Sequence, residues 1–239
     1  MTQSEINMIE RKVSEFRQKT GLSDAEAVNL KSLLIKLNIL TVFRPLSSNF
    51  SGMSLRNPKG ENRFMLINSN QPIGRQHFTI AHELYHLYIE DSPKPHNCDY
   101  CCTKSKSEQY ADAFAQHFLM PYAGILQIIP DNEIKSAKVS LATIIRLEQY
   151  FSVSRSAIVN RLKDLGFISK ADRETFLNLS AIKTAREYGY NTDLYNPGNE
   201  NLVIGDFGEK ARRLYDSEKI SEGHYLELLS KIGINGYED

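Results

Sequence analysis

FTIAHELYHLYI, residues 78–89, decides how this chain is read. A helix turns about 100° per residue, so His82 and His86, four apart, return to one face with Cβ atoms about 5 to 6 Å apart. Both rings can therefore reach one cation. Glu83 lies one step round the helix from His82, close enough to address a water at that cation without being a ligand. Phe78, Ile80, Ala81, Leu84, Leu87 and Ile89 surround the motif with apolar side chains that exclude bulk water from one side. The stretch thus predicts a metal-binding helix built into a core, with a base beside the metal.

A tetrahedral catalytic zinc takes three protein ligands and keeps one position open, so a third ligand must come from elsewhere. The run EQYADAFAQHFLMP, residues 108–121, predicts a second helix of about three turns, closed before Pro121 because proline cannot continue the hydrogen-bond ladder. Glu108 and Asp112 are i and i+4 and share a face. Glu108 is the expected ligand. Asp112 is the expected outer carboxylate, which fixes the tautomer of a ligand imidazole and makes it a better donor. Two imidazoles and one carboxylate in an open geometry suit Zn2+, one ion per chain.

The segment RQHFTIA at 75–81 running into HELYH, followed by the block at 108–121, resembles the ImmA/IrrE family of bacterial zinc metallopeptidases. That family carries an "RFT(L/I)AHELGH" type block and then "E..AN.FA..LLMP". The resemblance covers most of residues 10–170. It implies zinc ligands at His82, His86 and Glu108 and a catalytic glutamate at Glu83, with Asp112 at the family's Asn/Asp position. Tyr85 stands where glycine is common, and His77 where the family often has arginine or another residue; neither removes a ligand. The resemblance further implies cleavage of a specific regulatory protein, often a helix-turn-helix repressor encoded nearby, so that limited proteolysis switches transcription.

With 239 residues, the chain can build one good core or a catalytic domain with a small appendage. Its 29 basic and 29 acidic side chains balance, which argues against broad electrostatic binding to nucleic acid or an anionic membrane. The first fifteen residues lack the apolar centre of a signal peptide, and no apolar run approaches about 18 residues, so a soluble cytoplasmic protein is expected. Cys98, Cys101 and Cys102 all fall between the two metal-binding helices, with His96 beside them. A single Cys-x-x-Cys lacks the second half of a structural zinc site, so plain loop thiols are expected; an accessory metal or redox site, or a thiol reaching the open zinc position, are the alternatives.

The expected fold is α+β, a zincin-like core with a small antiparallel sheet packed on helices. Helices are predicted over 4–18 and 24–37, the second after Ser23 as N-cap, then strands over 39–46, 52–56 and 63–68. An edge strand beside the metal-binding helix would hold substrate backbone by strand addition, and residues 64–68 are the candidate. Residues 141–151 and 154–165 outline a helix-turn-helix joined by Ser152-Val153. Between Lys135 and Arg173 eight basic residues meet three acidic ones, yet helix pairs of this kind are mostly packing elements, so DNA binding is not favoured. Further helices are predicted near 172–188, 207–216 and 221–232, around an Asn, Pro and Gly-rich loop at 191–201. The expected division is 1–130 catalytic core, 131–170 helix-turn-helix-like segment and 171–239 helical extension.

The residues therefore point to a zinc endopeptidase in which Glu83 takes the proton of the attacking water and passes it to the leaving amine. His77 and Tyr85 are available as oxyanion donors, each also readable as structural. The alternative is a non-proteolytic, metal-dependent transcriptional regulator or toxin-antitoxin type partner module, which predicts that Glu83 is dispensable while the ligands are not.

Overall fold

The structure is a computed structural model that describes residues 1–57, 62–90 and 105–234. Cys98, Cys101, Cys102 and His96 lie outside the described residues. Helix α1 (Gln3–Lys19) opens on a Thr2/Glu5 capping box and buries Ile9, Val13 and Phe16. Helix α2 (Leu30–Lys36) is shorter than the predicted 24–37 and is capped by Asn29 rather than begun after Ser23. The cause is Arg17, which is buried and donates to the carbonyls of Ser23, Glu26 and Phe118. Carbonyls held by a guanidinium are withdrawn from a helical ladder, a long-range effect that local propensity does not register.

Strands β1 (Ile39–Arg44), β2 (Gly52–Arg56), β3 (Arg63–Asn68) and β4 (Val203–Ile204) form one sheet in the order β2-β3-β1-β4. The small sheet on helices is as expected, but it is mixed: β1 and β3 run parallel, while β2–β3 and β1–β4 are antiparallel. Residues 64–68 are therefore not an edge. β3 is hydrogen-bonded on both sides, with Met65 and Ile67 fully buried, and β2 is the edge strand next to it. The near-continuous apolar run RFMLIN suits an inner strand, whereas GMSLR alternates.

Helix α3 (Ile73–Tyr88) crosses this sheet beside β2 and packs on α4 (Lys106–Leu119). Aromatic rings lock the contact: Phe114 lies 5.8 Å from Phe16, 5.9 Å from Tyr85 and 5.5 Å from Phe118. Then follow α5 (Tyr122–Ile128), α6 (Asp131–Ser136), α7 (Leu141–Phe151), α8 (Arg155–Asp164), α9 (Lys170–Asn178) and α10 (Ala181–Glu187). The last two replace a single predicted helix, because Leu179 is extended and Ser180 caps α10 through the Lys183 N–H. After a 3-10 turn at Asp193–Tyr195 the chain returns to the core. There the Asn196 carbonyl accepts from the Ile73 N–H at the start of α3, and β4 then adds to β1. Helices α11 (Phe207–Asp216) and α12 (Glu222–Lys231) close on a small apolar cluster of Ala211, Tyr225, Leu229 and Ile232. Among the described residues no helix is long and apolar enough to cross a membrane.

Candidate metal centre

The structure brings together the side chains that the sequence singled out. His82 and His86 lie on the buried face of α3, and Glu108 sits in the first turn of α4, where the positive end of the helix dipole favours a carboxylate. His82 Nε2 and His86 Nε2 are 3.3 Å apart. Glu108 Oε2 is 3.1 Å from the first and Oε1 is 3.5 Å from the second. Ligand atoms about 2.0 to 2.1 Å from a tetrahedral ion lie about 3.3 to 3.4 Å from each other. The observed separations match that edge.

The far side of each ring is anchored. His82 Nδ1 is 3.0 Å from Asp112 Oδ1, one turn along α4 from Glu108, as the i, i+4 spacing predicts. His86 Nδ1 is 2.8 Å from Glu90 Oε2, and the Ser107 hydroxyl donates to the other Glu90 oxygen. With each Nδ1–H donated to a carboxylate, both Nε2 atoms present lone pairs toward Glu108, so the donor set fits a cation. Sequence reading missed Glu90. Its signal was available, since Glu90 follows His86 by four residues, but it lies beyond the last residue of α3 and outside the motif.

Glu83 is fully buried, one step round α3, and accepts a 2.6 Å hydrogen bond from Ser54 of β2. Tyr85 packs between α3 and α4, edge-on to His86 at 5.4 Å, and so the ring that replaces a glycine helps to wall the site. His77 is not at the site. Five residues before His82, it points about 140° away round the helix. Its Nδ1 meets the Ser152 carbonyl at 2.8 Å, and burial holds its pKa below the usual imidazole value despite that bond.

Residues 36–163 match the IrrE N-terminal-like domain family, peptidase M78. The chain belongs to this family. Membership makes it a metallopeptidase by family, and with that implies a metal and a protein substrate. A comparison with curated proteins found no match.

The IrrE N-terminal-like domain reaches to residue 163, so it contains α7 and almost all of α8. This pair has the expected helix-turn-helix outline, with Ser152 in a left-handed turn at φ 53°. Its second helix, however, turns Arg155 and Arg161 inward and keeps Lys163 outside. Arg155 pairs with Glu148, and Arg161 donates to His117 and to the Met120 carbonyl. Part of the local basic excess is thus spent on packing rather than displayed.

Proposed function

We propose that the protein is a cytoplasmic zinc-dependent endopeptidase that cleaves a specific regulatory protein, such as a helix-turn-helix repressor encoded beside it. The observation that carries this reading is the convergence of His82, His86 and Glu108, whose ligand atoms all lie within 4.8 Å of one another, next to buried Glu83. In this reading the three residues hold one zinc ion, while Asp112 and Glu90 orient the imidazoles. Zinc held there supplies a Lewis acid for the scissile carbonyl and makes water nucleophilic near neutral pH.

Glu83 takes the proton as water attacks and returns it to the nitrogen of the breaking bond, so that an amine leaves rather than an amide anion. The substrate backbone is assigned to the outer side of β2, which among the described residues is the terminal strand of the sheet next to α3, the position at which an extended peptide adds to a sheet. A three-part division at 130 and 170 remains our proposal for the chain's organisation.

The test is Glu83→Gln with the neighbouring repressor as substrate. The variant should keep one equivalent of zinc and lose cleavage by about 10²- to 10⁴-fold, the usual contribution of a general base. Unchanged turnover in the zinc-loaded variant would falsify the role of Glu83 as the base, whereas a zinc-loaded wild-type chain that binds the repressor without cleaving it would favour the partner-binding alternative.

A further inference from the structure

Strand β2 and helix α3 are matched step for step. Two residues along a strand advance about 6.7 Å and four along a helix about 6.0 Å, so alternate strand positions can track successive helical turns. On β2 these positions are Gly52, Ser54 and Arg56; on α3 they are Thr79, Glu83 and Leu87. A Cβ on Gly52 would lie 2.7 Å from the Thr79 methyl, so the strand sits flush on the helix at that point. Ser54 Oγ donates to Glu83 Oε2 at 2.6 Å, and Arg56 Nη1 reaches the Leu87 carbonyl at 3.5 Å. Ser54 is 5% exposed and Glu83 is fully buried, so this bond is formed out of bulk solvent.

We infer that Ser54 is a positioning residue for Glu83: its hydroxyl fixes one carboxylate oxygen and ties the base to the edge strand that receives the substrate backbone. The inference rests on Glu83 being the base of a peptidase. A hydrogen bond to a charged acceptor is among the stronger neutral-to-ion contacts, and here it selects one carboxylate rotamer at the end of a flexible side chain. Because the donor belongs to β2 rather than to α3, the base is aligned with the substrate's own strand. Peptide added to β2 and proton acceptor then share one frame. The gain is expected in turnover rather than in binding, since misplacing a reacting group by about 1 Å can cost about 10²-fold.

The experiment uses the zinc-loaded full chain, the neighbouring repressor as substrate, and the variants Ser54→Ala, Ser54→Cys and Ser54→Thr. Ser54→Ala should lower kcat about 10- to 100-fold and leave KM and zinc content within about twofold. Ser54→Thr, which keeps the hydroxyl on a strand-compatible side chain, should recover kcat to within about fivefold, and Ser54→Cys, a weak donor of similar size, should fall between. Equal losses in all three, or an Ala variant with wild-type kcat, overturn the inference. A second readout needs no turnover: thermal unfolding of Ser54→Ala, Glu83→Ala and the double variant should be non-additive by about 3 °C or more. Additive shifts overturn the coupling. If Glu83→Gln cleaves normally, the reading of Glu83 as the base fails instead, and the unfolding cycle still decides whether Ser54 holds Glu83.

Discussion

Between α7 and its neighbours, buried polar groups meet complementary ones; between α3 and α4, like meets like. Glu148 of α7 is fully buried and faces Arg155 of α8, with the Tyr195 hydroxyl donating to its other oxygen at 2.6 Å. Burial pushes the Glu148 carboxyl up and Arg155 pulls it back down. In the same region Arg161 donates to His117 Nε2 at 2.9 Å, while Glu10 lies 3.2 Å from His117 Nδ1. Across α3 and α4, by contrast, two imidazole lone pairs and a carboxylate are held 3.1 to 3.5 Å apart. A folded chain tolerates the first arrangement as packing. The second has like-signed atoms converging, an arrangement that a cation relieves, and this is why we propose it as the functional region.

The comparison breaks most easily on ligand removal. His86→Ala should reduce bound zinc from one equivalent per chain toward none, abolish cleavage, and remove the rise in Tm on adding zinc, because a ligand bound only by the folded state stabilises it. Arg155→Leu should do the reverse. It leaves Glu148 buried with half its partners, which costs about 3 to 5 kcal/mol and lowers Tm by about 10 °C, yet zinc stoichiometry should hold at one. Loss of zinc in Arg155→Leu at a temperature where it is folded would mean that the two regions are not separate.

Legibility in the sequence followed range. His82, Glu83 and His86, and likewise Glu108 and Asp112, were readable because each group is local to one helix and the i, i+4 spacing fixes a shared face. The contact of Ser54 with Glu83 spans 29 residues between a strand and a helix, and no local pattern encodes it. The two residues of β4 are too few for an alternation to appear, and their pairing with Thr41 and Val42 depends on a chain return more than 150 residues later. Arg17 illustrates the same limit in reverse: a buried guanidinium cut short a helix that propensity alone would have extended from Asp24.

A smaller effect sharpens the contrast through pH. Burial, and then the Arg161 charge, lower the His117 pKa to about 4, with Asp164 opposing. The unfolded chain takes up this proton near 6.5, so between the two values the unfolded state holds more protons. Stability from this residue is complete above about pH 6.5 and falls by roughly 3 kcal/mol as the pH drops to about 4. The variant His117→Gln should therefore show a flatter fall in Tm than wild type from pH 7 to 4.5. Parallel curves would show that His117 takes up its proton alike in the folded and unfolded chain, so that burial beside Arg161 does not hold it neutral.

The smallest predicted change returns to the metal side. Glu90 closes the far end of the centre: one oxygen lies 2.8 Å from His86 Nδ1, and the other accepts from Ser107 in the first turn of α4. Glu90→Gln preserves shape and the capacity to accept one hydrogen bond but removes the charge that makes His86 a stronger donor. Zinc affinity, measured by competition with a chelator, should fall about 10- to 100-fold with little change in the metal-free Tm. Asp112→Asn should behave alike, since Asp112 serves His82 in the same way at 3.0 Å. If Asp112→Asn weakens zinc while Glu90→Gln does not, Glu90 acts only as a clamp between the end of α3 and the start of α4. The metal then owes its outer support to one carboxylate rather than two, and His86 is oriented by the packing of Tyr85 against it.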